Sequence, residues 1–230
     1  MKVLLFCCKG FETMEFAPFV DVMGWARNDY GMSAEVVTAG FSKTVVSAFG
    51  IPVLVDKIYD EIDVSEYDAL AIPGGFEEFG FYEDAYDERF LNLIREFNCS
   101  HKYIASVCVG ALPVGASGIL KGRKATTYHL GAGKRQKQLA EFGAEVIPDQ
   151  SVVTDINVIT SFCPQTAPHV AIALLGMLMG DEKARVVATA MGYEYSLEDV
   201  EECLYKDGDM SGYLFKCIHC NKYHLWVDAN

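Results

Sequence analysis

The chain has 230 residues, 51% of them hydrophobic, and carries 32 acidic against 19 basic side chains for a formal net charge of −13. That length and apolar content allow one sizeable core with a small appendage. The acidic balance argues against a nucleic-acid partner, which needs a net basic face. The one basic stretch, Lys121 to Lys137, reads as a solvated helix face.

The opening "MKVLLFCCKGFE" is too short an apolar run for a signal peptide and lacks a small-residue cleavage site, so it predicts a buried first strand. No run reaches the roughly 18 apolar residues of a membrane span. A soluble, cytoplasmic chain with no membrane partner is expected. A helix pattern follows in "MEFAPFVDVMGWARN", then a strand in "SAEVVTAG" and short strands around "IPVLVDKI". "YDALAIPGGF" is a strand closed by Pro-Gly-Gly, "DERFLNLIREFN" repeats its apolar residues at helical spacing, and "HKYIASVC" is the next strand. "GALPVGASGIL" has helix character as far as Gly118, "KATTYH" is strand-like, and "KRQKQLAEFG" is a helix ending at Gly143. "EVIPDQSVVTDINVITS" reads as two strands around Asp155-Ile-Asn157, and "TAPHVAIALLGMLMG" closes the region as an apolar helix.

Continuous apolar strands alternating with helices predict an α/β fold, a mostly parallel doubly wound sheet with helices on both faces. Sites in such sheets form at the carboxyl ends of strands. Three features fall there: Glu12 and Glu15 after the first strand, Gly74-Gly75 after "ALAIP", and Cys108 after "YIAS".

There are eight cysteines, Cys7, Cys8, Cys99, Cys108, Cys163, Cys203, Cys217 and Cys220. Their irregular spacing in a chain this long favours reduced thiols over a disulfide framework. Ser106-Val107-Cys108-Val109-Gly110 has the spacing of a nucleophile elbow, with small residues two before and two after the central one. A cysteine there lies near a helix N-terminus, which favours thiolate. The Val109 N–H would face a developing oxyanion, and the Gly74-Gly75 turn offers a second donor at Gly75. The competing reading is a buried strand-end thiol.

"KGFETMEFAPFVDVM", "DALAIPGGF", "IASVCVGALPVGASGILKGRKATTYH" and "VITSFCPQTAPHVAIALLGML" together resemble the DJ-1/PfpI family, ThiJ-like proteins of the class I glutamine-amidotransferase-like superfamily. The resemblance runs from about Lys2 to Gly180. It implies a flavodoxin-like fold, a homodimer, and an elbow cysteine at Cys108. It also implies an acidic partner at Glu15, a carboxyl held protonated beside a thiol of lowered pKa; Glu12 is expected to face solvent. Family members often place a histidine after the strand read here as "KATTYH". Matched without a gap that position is Tyr128, with His129 one residue on, so His129 is a candidate general base and a loop histidine is the alternative. At Phe49, relatives of the human DJ-1 type carry an arginine near the cysteine, so sulfinate-based sensing is weakened here. Cys163 falls where relatives often have glycine, and reads as a small packed residue or a resolving thiol.

After Gly180 the pattern changes to an acidic helix, a Gly/Asp turn and an aromatic hairpin, so Asp181 to Asn230 is expected to be an appendage to a main domain of residues 1–180. Its "LEDVEECLYKDG" and "YLFKCIHCNKYHLWVDAN" resemble the C-terminal end of the CbrC family. Cys217 and Cys220 form one C-x-x-C pair, whereas a structural zinc normally has four ligands. Zinc there would need His224, Cys203 or a partner chain. A hairpin of Tyr213, Phe215, Tyr223 and Trp226 is preferred, and no cofactor is expected.

The leading expectation is therefore a Cys108-dependent hydrolase or hydratase/glyoxalase-type lyase acting on a small aldehyde, amide, ester or isonitrile, with Glu15 and His129 moving protons. The alternatives are a redox or stress sensor working through Cys108, and an interaction module with a vestigial site.

Overall fold

A computed structural model of the chain describes residues 1–193 in full and, beyond them, the backbone of Met210–Lys216 and Tyr223–Ala229. The first strand, β1 (Lys2–Phe6), is buried from Val3 onward. Helix α1 (Thr13–Tyr30) follows, and Gly31 ends it in the left-handed region, its N–H capping the Ala26 carbonyl. β2 (Glu35–Gly40) pairs with β1; β3 (Thr44–Val46) and β4 (Pro52–Leu54) form a hairpin, and β5 (Lys57–Ile58) pairs with β2. β6 (Ala69–Ile72) is wholly buried. Next come α2 (Phe81–Ala85) and α3 (Glu88–Cys99), the latter started by Asp87, whose carboxylate accepts the Arg89 N–H. β7 (Tyr103–Ser106) leads through a 3-10 turn at Cys108–Gly110 into α4 (Ala111–Ala116). β8 (Lys124–Ala125), α5 (Lys134–Glu141) and β9 (Glu145–Val146) precede the hairpin β10 (Val152–Asp155) and β11 (Val158–Ser161). α6 (Ala167–Met179) and α7 (Asp181–Ala190) follow, then β12 (Met210–Lys216) and β13 (Tyr223–Ala229).

Seven strands form one sheet in the order β10-β11-β7-β6-β1-β2-β5. All its pairings are parallel except that of β10 with β11. α1 packs on α6, and α3 packs on β6, β7 and α4. Strands buried on both faces demand this double cover, which is why their sequences are apolar without alternation. The fold is the flavodoxin-like α/β arrangement read from the sequence. From β1 the connections run to β2 on one side and to β6, β7 and β11 on the other, so the order reverses between β1 and β6. Crevices for ligands open at the carboxyl ends of strands at such a switch point.

Two elements differ from expectation. The "KATTYH" strand is only Lys124–Ala125, because Thr126 and Thr127 turn into side-chain bonding. The Thr126 N–H donates to Thr160 Oγ1 at 2.9 Å and Thr127 Oγ1 donates to the Cys108 carbonyl at 2.7 Å. The helix expected up to Gly118 is split into the 3-10 turn and α4.

The chain divides into two compact units, Met1–Val187 and Ala188–Asn230. The first takes in most of α7, past the sequence break at Gly180. In the second, β12 and β13 pair antiparallel, with Tyr213 opposite Trp226 and Phe215 opposite His224.

Candidate active site

Val107 leaves β7 in extended conformation (φ −116°, ψ 141°) and Cys108 then turns to φ 55°. A side chain other than glycine in that region is strained by about 1–3 kcal/mol and stays there only when its surroundings hold it. Here the Val107 N–H is bonded to the Ile72 carbonyl (3.1 Å), the Gly110 N–H to the Val107 carbonyl (2.8 Å), and the Cys108 carbonyl to Thr127. A Cβ on Gly110 would lie 2.6 Å from the Ile72 oxygen, which is why a small residue follows the cysteine. Ser106, two before it, is fully buried and its Oγ donates to the Ile159 carbonyl at 3.3 Å.

Glu15, in the first turn of α1, is 1% exposed. Its Oε2 accepts the Gly74 N–H at 2.6 Å. Burial pushes this carboxyl up to about 8, against the opposing pull of the Gly74 amide and of Cys108. The carboxyl lies close enough to the thiol for each to shift the other, while Oε1 is buried with no partner in hydrogen-bond geometry. Glu12 is not the solvent-facing residue expected. It is buried at the N-terminal cap of α1, and burial raises its carboxyl; its charge also raises Glu15. Two acids facing one sheltered site disfavour ionisation of both.

The Cys108 thiol is pushed well above its ordinary value by burial first and by the Glu15 charge second, while the Val109 N–H bonds to the sulfur and pulls the other way. The resting site therefore departs from the lowered thiol pKa that the family resemblance implied. A carboxyl raised to about 8 is mostly protonated at neutral pH, and a neutral Glu15 no longer repels a thiolate and has a proton to donate to it. Protons of such a pair belong to both members.

Gly75 sits in the turn after β6, between the Gly74 carbonyl that accepts the Glu12 N–H (2.8 Å) and the Phe76 N–H bonded to the Gly10 carbonyl (3.1 Å). A Cβ there would lie 2.3 Å from the Gly10 oxygen. His129 stacks on Phe162 with ring centroids 4.1 Å apart, and its Nδ1 is buried without a partner. No hydrogen bond joins His129 or Tyr128 to Cys108 among the described residues; Thr127 is the residue of that segment that reaches the cysteine, through its carbonyl. Phe49 is exposed and clusters with Phe76 and Phe79 (centroids 5.4 and 5.9 Å).

Sequence reasoning missed Tyr82. Its hydroxyl is buried without a partner, the Arg135 guanidinium lies 5.0 Å from its ring, and Cys108 is among the groups that perturb it. The aromatic-rich "GFEEFGFYEDAY" after the Gly-Gly turn was the available signal. Cys203, Cys217, His219 and Cys220 lie outside the described residues, as does the side chain of His224. Among the described residues no group of three or more His, Cys, Asp or Glu side chains is placed to hold a metal ion, and no helix is long and apolar enough to cross a membrane.

A doubly wound sheet with a buried acid and a strained cysteine at its switch point defines a class of α/β protein, and comparison with known proteins places the chain within it. Residues 1–177 match the model of the DJ-1/PfpI family, and the chain belongs to that family. It is 34% identical over 166 residues to Deglycase PfpI of Pyrococcus furiosus, covering 71% of this chain and 91% of that one. It is 29% identical to Protein DJ-1 homolog B of Arabidopsis thaliana over 82% of this chain, which spans only 40% of that longer relative. The crystal structure of Drosophila melanogaster DJ-1beta superposes with a TM-score of 0.73 at 26% identity, covering 84% of this chain and 98% of that one. Residues 170–229 match a second model, Uncharacterised protein family (UPF0167), in the stretch that resembles CbrC.

Proposed function

We propose that the protein is an enzyme in which Cys108 adds to a small electrophile, as a hydrolase or a hydratase/glyoxalase-type lyase. The observation that carries this is the pairing at the switch point: a cysteine held at φ 55° beside a buried carboxyl raised to about 8. In the resting pair the proton that must leave sulfur and the acid that must receive or return it are already adjacent. With an aldehyde, sulfur forms the C–S bond, the carbonyl π pair moves to oxygen, and Glu15 gives that oxygen its proton and takes up the one that leaves sulfur, so that the carboxyl ends as it began. The Gly75 and Val109 amides are the candidate donors to that oxygen. With an ester or amide the same addition is followed by loss of the leaving group and attack of water on the thioester. His129, facing Phe162, is a candidate second proton carrier. A family relative bears the name deglycase, which agrees with electrophilic carbonyl substrates.

A homodimer is part of the proposal. Val46, Phe49, Ile51 and Leu54, on and beside the β3–β4 hairpin, are each exposed and offer a candidate apolar face for a second copy. Wild type and Cys108→Ser should be assayed with methylglyoxal, a small ester and an isonitrile, with size measured in solution. Turnover by the wild type alone is the expected result. No turnover of any, with a thiol that alkylates as an ordinary cysteine, would end the reading.

A further inference from the structure

β7 and β11 are neighbouring parallel strands, with Ile104 opposite Val158 and Ala105 opposite Ile159. They leave the sheet at the same end, β7 at Ser106 and β11 at Ser161. Two residues beyond each end stands a cysteine, Cys108 and Cys163, both buried and both free. Carried past the strand ends, that register sets Cys108 beside Phe162, one residue short of Cys163; strands about 4.8 Å apart with a rise of about 3.3 Å per residue put such a one-step diagonal near the roughly 4.4–6.8 Å that a disulfide spans. One further segment ties the two turns together. Thr127 donates to the Cys108 carbonyl, and His129, two residues on, stacks on Phe162, which directly precedes Cys163. Cys163 is one of the groups that raise the Cys108 thiol, and Glu15 raises both. Each of the three groups thus lies near enough to act on another.

We propose that Cys108 and Cys163 are a redox pair in which a peroxide oxidises Cys108 and Cys163 closes an intramolecular disulfide between the ends of β7 and β11. In the first step the Cys108 thiolate attacks one peroxide oxygen. The S–O bond forms, the O–O bond breaks, and hydroxide leaves and takes up the proton that sulfur gave up, as water. In the second, Cys163 sulfur attacks the sulfenic sulfur. The S–S bond forms, the S–O bond breaks, and hydroxide leaves with the Cys163 proton as a second water. Two thiols and one hydrogen peroxide thus yield one disulfide and two waters, and an external dithiol reverses it. The alternative product, a sulfinate on Cys108, is an anion. Burial, the Glu15 charge and Cys163 all act on that sulfur and no cation among the described residues does, whereas a disulfide carries no charge.

The test does not depend on turnover. Reduced full-length protein is treated with hydrogen peroxide, alkylated, digested without reductant and analysed by mass spectrometry. A Cys108–Cys163 cross-linked peptide, lighter by two hydrogens and released by dithiothreitol, is expected, with both thiols lost to alkylation in step. Cys163→Ala should shift the Cys108 product from the cross-link to sulfinate. A wild type that accumulates sulfinate on Cys108 while Cys163 stays open to alkylation would overturn the proposal, as would a cross-link from Cys108 to any other cysteine. The wild-type result decides even if the variant does not fold.

Discussion

The end of β1 and the end of β7 both carry buried cysteines, and they differ in everything but burial. Cys7 lies in an apolar cluster with Phe11, Val45 and Val55, its thiol donating weakly to the Leu5 carbonyl, and burial alone pushes it up. Cys8 is raised by burial, by Asp84 and by Cys7. Cys108 is raised by burial as well, and like Cys8 it has an acid nearby, but it has two things the others lack: a backbone at φ 55° and an amide bonded to its sulfur. Inaccessibility therefore says little about which thiol reacts. A strained backbone held from several sides, with an amide bonded to its sulfur and a protonated carboxyl beside it, says more.

Substitutions at the two strand ends test that contrast. Cys108→Ser should lower turnover by roughly a thousand-fold or more, while Cys7→Ser and Cys8→Ser should retain it; equal losses in steady-state assays would erase the distinction. Glu15→Leu removes the proton donor to the thiolate and should slow iodoacetamide labelling of Cys108 at neutral pH by about ten- to a hundred-fold, the worth of a hydrogen bond to a charged group. Labelling of Cys7 in the same sample should not change. Gly110→Ala drives a Cβ against the Ile72 oxygen and should cost about 1–3 kcal/mol, read from urea midpoints.

Glu15 also sets a slope of stability with pH. Its folded pKa of about 8 lies above the ordinary 4.5. Between those values the folded state keeps a proton that the unfolded state releases, so stability falls as pH rises through that window. Glu15→Gln should flatten the fall; an unchanged difference between denaturation midpoints near the two ends of the window would show that Glu15 is not its source. The smallest effect belongs to Thr127→Val, which removes the bond to the Cys108 carbonyl and should cost about 1 kcal/mol.

Much of the sheet was legible because its strands are unbroken apolar runs ending in punctuation: "KVLLF" before Gly10, "ALAI" before Pro-Gly-Gly, "YIAS" before the cysteine. Cys108 could be named because it stands at a strand end where spacing has meaning, and Glu15 because the resemblance of "GFETMEF" to the DJ-1/PfpI family implied it. The burial of Glu12 was not legible, since it caps α1 and its N–H bonds the Gly74 carbonyl, a long-range contact that no local pattern marks. Thr127 was hidden because a threonine in "KATTYH" looks like any β-branched strand residue, and only the end of β8 after Ala125 frees it to reach Cys108. Tyr82 belongs to a short helix without strong periodicity, so nothing local marked it as a neighbour of the thiol.

Gly74 places a limit on how this site can change. A single methyl group there would meet Glu15 Oε2 at 2.8 Å and the Gly110 nitrogen and Val107 oxygen at 3.0 Å each. One atom would strike both the acid on α1 and the turn that carries the cysteine. The acid, the Gly-Gly turn and the cysteine turn are therefore locked to one another, and none of them can be altered at Gly74 without moving the other two.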